Sequence, residues 1–198
     1  MKIIIAGATG TIGRRITEAL RKEHEIITVG SATGDVHADI SDPEAVRQLF
    51  RQTGAFDALL CAAGNGHFGP LAQMKDTDFR KGINSKLMGQ VNLVLEGQHY
   101  ITNGGSFTLT SGIVCEEPIL HATNLSAVNA AVNAFVVAAA IELKKNIRIN
   151  AVCPSIVEDS KEMFPLFPGY IPVSMERVVQ AYIRSLLGPL SGQVFKVY

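Results

Sequence analysis

The sequence predicts a doubly wound α/β fold, a parallel sheet of about seven strands flanked by helices, and two observations support this class. Short runs rich in β-branched residues alternate with longer helical patterns along the 198 residues, as βαβ units joined by crossover helices require. A glycine-rich stretch, residues 7–13, lies directly between the first such run and the first helical pattern. No repeat or linker-like segment divides the chain, so residues 1–198 are predicted to form a single domain.

Seven strands are predicted, each from a short apolar run with isoleucine, valine or threonine. They cover residues 2–6, 25–29, 35–38, 58–62, 105–110, 148–152 and 193–197. The first run is followed at once by glycine and is shorter than the roughly 7–15 apolar residues of a signal peptide. It is therefore interpreted as the first strand of the sheet.

Five helices are predicted between the strands, at residues 10–22, 43–52, 76–100, 123–144 and 174–187. Asp42-Pro43-Glu44 gives the second helix an N-cap, a first-turn proline and an acidic residue, and a break near Asn84 is an alternative for the third. The side chains of the fourth helix are small and apolar on nearly all of its faces, which predicts that the helix is buried on two sides. One side would pack on the sheet and the other on a second copy, so a homo-oligomer is expected.

The composition is that of a globular domain with no electrostatic excess. It is 47% hydrophobic and 18% charged, with 18 basic and 18 acidic residues, so neither nucleic acid nor a membrane surface is an expected partner. The most apolar stretch, residues 134–141, is shorter than the roughly 18 residues of a membrane span. The three cysteines are widely spaced and include no CxxC pair, which argues against a disulfide and against a metal site. This cysteine content suits a reducing compartment. The expected location is cytoplasmic, with a small-molecule ligand.

The glycine-rich stretch predicts a pyrophosphate site of the Rossmann type. Glycines permit the tight turn and bring backbone amides close to a pyrophosphate, whose charge lies at the positive end of the following helix. Glycine also serves ordinary turns, so the order strand, glycines, helix makes the signal specific. The predicted cofactor contacts are Gly7, Thr9, Gly10, Thr11, Ile12 and Gly13.

The end of the second strand favours NADP over NAD. Residues 28–31 lack the acid that NAD-selective sites use to bind the ribose diol. Ser31 can instead donate to a 2′-phosphate, which Arg14 or Arg15 would approach; solvated side chains are the alternative, and NAD stays possible. Asp39 and Ile40 follow the third strand and are candidates for the adenine edge, although Asp39 suits a turn equally well.

Four further landmarks resemble the short-chain dehydrogenase/reductase family over nearly the whole chain. Cys61-Ala62-Ala63-Gly64 is similar to the N-N-A-G turn after the fourth strand, and residues 148–155 are similar to the segment leading into the P-G turn over the nicotinamide. Asn84 resembles the helical asparagine that anchors a proton-relay water in this family. Ser111 resembles the family's serine that hydrogen-bonds the substrate oxygen. The resemblance implies cofactor contacts at Ala62, Ala63, Gly64, Asn129, Pro154 and Val157.

The chain departs from this family at the proton-transfer pair. Leu125 stands where the family has its tyrosine, and Asn129 where it has a lysine four residues later. Leucine transfers no proton, and asparagine supplies no charge to lower a neighbour's pKa. His121, one turn before Leu125 on an extended helix, is a candidate substitute acid, as is His67, and a surface or loop histidine is the alternative for both.

Two functions therefore stay open. The first is an NAD(P)-dependent oxidoreductase acting on a carbonyl or alcohol, with a degenerate active site formed by Ser111, Asn84 and His121. The second is a non-catalytic dinucleotide-binding sensor or scaffold. A cysteine-based redox function is a weaker third hypothesis. It depends on Cys61, Cys115 and Cys153 each following a strand at the ligand-binding edge.

Overall fold

Seven parallel strands form one sheet in the computed structural model, which describes residues 1–198. They are β1 (Lys2–Ala6), β2 (Glu25–Gly30), β3 (Val36–His37), β4 (Phe56–Cys61), β5 (Ile101–Thr110), β6 (Arg148–Pro154) and β7 (Val194–Val197). Their order is β3-β2-β1-β4-β5-β6-β7. The order reverses between β1 and β4, and ligands of such sheets bind at that point, beyond the carboxyl ends of the strands. The predicted fold class is confirmed.

Helices cover both faces of the sheet. They are α1 (Thr11–Leu20), α2 (Pro43–Thr53), α3 (Asp76–Gly82), α4 (Gly89–Gly97), α5 (Thr123–Glu142) and α6 (Met175–Leu187). Helices α1 and α6 pack on one face, where Tyr182 is fully buried, and α2, α4 and α5 pack on the other with Phe50. Successive β1 residues Ile3 and Ile4 point to opposite faces, as the alternation of a strand requires.

Three elements differ from the sequence prediction. Strand β5 begins at Ile101 and not at residue 105. Strand β3 has only two residues because the Asp35 carboxylate accepts hydrogen bonds from the Thr28 amide and hydroxyl, 2.9 and 2.7 Å away, and so forms a turn. The predicted helix over residues 76–100 is not α-helical throughout. A π-helical segment, Ile83–Met88, joins α3 to α4 and contains the predicted break at Asn84.

Helix α5 is long and apolar enough, by length and composition alone, to cross a membrane, with a mean hydropathy of 1.6 over its best window. The core helix of a globular protein meets the same criteria of length and composition. Within the fold, α5 packs on β6 through buried Val132 and Val136. Its opposite face is bare, since Val137 and Ile141 are 50% and 85% exposed.

Candidate functional site

The turn between β1 and α1 has the geometry of an anion site. Gly7 has a φ of +81°, which glycine adopts without strain, and its carbonyl accepts a 3.0 Å hydrogen bond from Gly10. A Cβ atom on Gly13 would lie 2.0 Å from the Gly7 carbonyl oxygen, so α1 packs directly on the turn. The N-terminus of α1 has no side-chain cap, and its first amides are therefore free to bind an anion.

A cavity of about 250 Å³ opens beside this turn, and we call it the glycine-turn cavity. The ends of β1, β2 and β4 form its walls. Seven of the predicted cofactor contacts line it: Gly7, Thr9, Ser31, Asp39, Ile40, Ala63 and Gly64. The hydroxyl of Thr33, which lies 3.1 Å from that of Thr9, also faces this cavity. Ser85, from the π-helical segment, completes the far wall.

The charged groups around the glycine-turn cavity are already engaged. The Asp39 carboxylate accepts hydrogen bonds from the Ser41 amide at 2.9 Å and hydroxyl at 2.7 Å, which lower its pKa. Arg15 forms a 2.9 Å ion pair with Asp159 instead of reaching Ser31. Neither Arg14 nor Arg15 lines the cavity, so the expected approach of an arginine to a 2′-phosphate stays a prediction for Arg14. The ion pair also turns Asp159 toward α1.

A second cavity of about 250 Å³, the Ser111 cavity, continues inward and shares Gly64 with the first. Predicted residues Ile12, Gly64, Ser111, Asn129, Pro154 and Val157 line it. The hydroxyl oxygen of Ser111 and the amide oxygen of Asn129 are both buried without a hydrogen-bond partner. Burying such atoms unpaired costs free energy, so the cavity is prepared for a polar ligand.

The π-helical segment determines which of its side chains face the site. Asn84 is exposed and lines neither cavity, whereas Ser85 lines the first and Lys86 the second. A π-type turn holds an extra residue, which rotates the following side chains relative to an α-helix. The expected position of the Asn84 side chain beside Ser111 is therefore not observed. Lys86, and not Asn84, lines the cavity together with Ser111. The one sign of this in the sequence is a single lysine next to the apolar pair Leu87-Met88.

The two candidate histidines lie outside the Ser111 cavity. Helix α5 begins at Thr123 and does not extend back to His121, whose side chain is exposed and whose φ is +67°. The His121 carbonyl instead accepts a hydrogen bond from Gly69. His67 donates its backbone amide to Asn124. The structure thus does not bring His121 onto the face of Leu125, and the sequence-based reason for an acid at this position is lost.

Two of the three thiols have a raised pKa. Burial raises the pKa of Cys61 to about 11 and that of Cys115 to about 12. The Cys153 sulfur lies 3.1 Å from the Tyr198 hydroxyl. A thiolate is the reactive form of cysteine, so the cysteine-based redox hypothesis gains no support from this environment.

Together, the glycine turn, the paired cavities and Ser111 form a candidate nucleotide-binding site with a polar inner end. The family model described as enoyl-(acyl carrier protein) reductase matches residues 5–177. The chain belongs to the short-chain dehydrogenase/reductase family.

Solved structures and a curated relative agree with this assignment. The protein lin1944 from Listeria innocua superimposes with a TM-score of 0.98 at 40% identity, covering 100% of both chains. A small-chain dehydrogenase in complex with NADPH gives a TM-score of 0.89 at 27% identity, covering 100% of this chain and 96% of its own. Versicolorin reductase from Emericella nidulans is 28% identical over 140 residues, 68% of this chain. The chain spans about half, 53%, of that relative's length.

Proposed function

We propose that the protein is an NADPH-dependent oxidoreductase that reduces a carbonyl compound. One observation carries the proposal: the two cavities meet at Gly64, with uncapped helix amides beside the outer one and the unpartnered Ser111 hydroxyl in the inner one. An elongated ligand with a pyrophosphate and a polar reactive end fits this arrangement. The relative crystallised with NADPH supports the same choice of cofactor.

The residues present fit a nicotinamide dinucleotide. The amides at the start of α1 would hold its pyrophosphate, and the glycine-turn cavity would take its adenosine half. The Ser111 cavity would take the nicotinamide, with the Asn129 amide oxygen as a hydrogen-bond acceptor inside it. When bound, the cofactor supplies a hydride to the substrate carbon. Ser111 donates a hydrogen bond to the substrate oxygen, where negative charge develops.

The first experiment separates binding from turnover. NADPH and NADH are titrated by fluorescence, and carbonyl compounds are then screened with the tighter nucleotide. We expect binding, with NADPH the tighter ligand, and oxidation of NADPH coupled to formation of an alcohol. Absence of heat with both nucleotides in calorimetry would contradict the proposed cofactor.

We expect Ser31→Asp to weaken NADPH binding by about 10–100-fold while leaving NADH binding unchanged or stronger. Ser31 follows β2 on the wall of the glycine-turn cavity. A carboxylate at this position would repel a 2′-phosphate by about 1–4 kcal/mol. It would, however, accept hydrogen bonds from the hydroxyls of a ribose diol. Ser31→Ala is the control, because it removes the hydroxyl without adding charge. Equal losses for both nucleotides in Ser31→Asp would show that Ser31 does not face the 2′ position.

A non-catalytic nucleotide sensor or scaffold is the second candidate function. Leu125 favours it, since this side chain fills the place of the family's tyrosine and lies against Gly66, where an added Cβ would be 2.4 Å from a Leu125 methyl carbon. Such a protein retains the nucleotide site but has no use for Ser111. Tight NADPH binding without oxidation, across a carbonyl screen, is the result that selects this function.

We further propose that the bare face of α5 packs against a second copy of this chain. Val137 and Ile141 are exposed there beside alanines, and small apolar faces allow two helices to approach closely. We expect the native protein to run as a multiple of 21.3 kDa in light scattering and Val137→Glu to run as one chain. Leu71→Glu is the control, because Leu71 is 66% exposed but lies outside α5. A native mass of a single chain would disprove this packing.

A further inference from the structure

Lys86 is the one ionisable side chain that lines the Ser111 cavity. Every other lining residue is apolar, glycine or proline, or carries only a hydroxyl or amide group. The Lys86 residue is 8% exposed, and no carboxylate or hydrogen-bond acceptor stabilises its ammonium. A lysine is rarely buried without a partner, so this position calls for an explanation beyond packing.

The backbone brings Lys86 to the junction of the two cavities. A Cβ atom on Gly64 would lie 2.8 Å from Lys86 Cα and 3.1 Å from Lys86 Cδ, so the aliphatic part of the lysine runs directly over the glycine that both cavities share. Lys86 also lines the cavity that holds the unpartnered Ser111 hydroxyl and Asn129 amide oxygen. A lysine and a hydroxyl donor thus line the same cavity.

The surroundings of the ammonium favour release of its proton. Burial lowers the pKa of Lys86, and the titratable groups that face it are the thiols of Cys61 on β4 and Cys153 on β6. Burial raises the pKa of the Cys61 thiol to about 11, so this group does not hold the ammonium as an ion pair at neutral pH. A lysine whose pKa is lowered toward neutrality is an effective general acid, because its proton is transferred more readily.

We infer that Lys86 is the catalytic proton donor of this site and that it acts on the same substrate oxygen as Ser111. The inference rests on the proposed reductase function, in which the carbonyl carbon gains a hydride. As that happens, an N–H bond of Lys86 breaks and an O–H bond forms on the carbonyl oxygen. The alcohol leaves, the nicotinamide is oxidised, and the neutral Lys86 amine takes up a proton from water.

This assignment accounts for the two departures from the family pattern. Leu125 has no proton to give, and Asn129 has no charge, yet the cavity between them contains a lysine that enters from the π-helical segment. Lys86 therefore supplies both the proton and the positive charge from a different element of the fold.

The kinetic test compares Lys86→Met, Lys86→Arg and Lys81→Met. We expect Lys86→Met to lower kcat by about 10²–10⁴-fold, the usual value of general acid catalysis, with the NADPH dissociation constant changed by less than about 3-fold. Lys86→Arg keeps the charge but cannot release a proton near neutral pH, so we expect it to stay slow. Lys81, exposed and paired with Asp78, is the control and its variant should match the native rate.

A second readout does not depend on turnover. In protein with ¹³C-labelled lysine, the Cε resonance absent from the Lys86→Met spectrum belongs to Lys86, and its titration gives the pKa of this amine. We expect that pKa to be the lowest of the lysines and to change when NADPH binds. The native pH profile of kcat should fall above the same pKa, and this fall should be missing in Lys86→Met.

The outcomes distinguish this inference from the proposed function. If native protein reduces a carbonyl compound and Lys86→Met is equally fast, or Lys86→Arg restores the rate, Lys86 is not the proton donor while the reductase function stands. A Lys86 resonance that titrates with the exposed lysines overturns the inference in the same way. If NADPH binds but no carbonyl compound is reduced, the reductase function fails and this inference fails with it.

Discussion

Gly7→Ala is expected to abolish nicotinamide nucleotide binding and to lower the free energy of unfolding by about 2–5 kcal/mol. Two effects add. The φ of +81° strains any residue with a side chain, and a Cβ atom would lie 2.8 Å from the Ala62 carbonyl carbon and 2.9 Å from the Ala63 nitrogen. Because these are backbone atoms, the turn itself must move, and the amides that would hold the pyrophosphate move with it. Calorimetry with NADPH and urea unfolding measure the two effects.

Gly104→Ala is the matched control for this prediction. Its φ of +78° imposes the same backbone strain, but an added Cβ would meet no atom within 4 Å. We expect a loss of about 1–2 kcal/mol from strain alone and unchanged nucleotide binding. Similar stabilities for the two variants would show that the close approach of Gly7 to the β4 turn contributes nothing.

The fold could be predicted because each signal was local. The run Ile3-Ile4-Ile5 followed by glycine identifies β1 and its turn, and Asp42-Pro43 marks the start of α2, where the Asp42 carboxylate accepts from the Glu44 amide. These features depend on neighbours in the chain and on the alternation of strands and helices. The observed strand order, β3-β2-β1-β4-β5-β6-β7, is that of a doubly wound sheet.

The inner part of the site could be predicted only in part because its geometry depends on long-range packing. Ser111 follows a recognisable strand, so its position could be read from the sequence. A break near Asn84 could be read from the sequence as well, but its π-helical form could not. This form turns Lys86 inward and Asn84 outward. His121 was placed by extending a helix that in fact begins at Thr123. A one-residue change of helical phase does not alter the hydrophobic periodicity of the sequence, yet it decides which side chain lines the Ser111 cavity.

Ser111→Ala is expected to lower kcat by about 10²–10³-fold, the usual effect of removing one donor to a developing oxyanion. NADPH affinity should stay within about 3-fold of native, because the hydroxyl contacts the substrate oxygen and not the pyrophosphate. Steady-state kinetics with the best carbonyl substrate, together with an NADPH titration, give both numbers. A variant with the native rate would remove Ser111 from the proposed mechanism and favour the sensor function.

The same substitution is expected to stabilise the fold, since the Ser111 hydroxyl is buried without a partner. Its removal should raise the free energy of unfolding by about 1 kcal/mol and Tm by about 2–4 °C. Ser126→Ala is the matched control: its hydroxyl is equally buried and unpartnered, but it lies outside both cavities. We expect similar stability gains in the two variants and a loss of kcat in Ser111→Ala alone. That result would show that the unpaired Ser111 hydroxyl lowers the stability of the fold and contributes to catalysis.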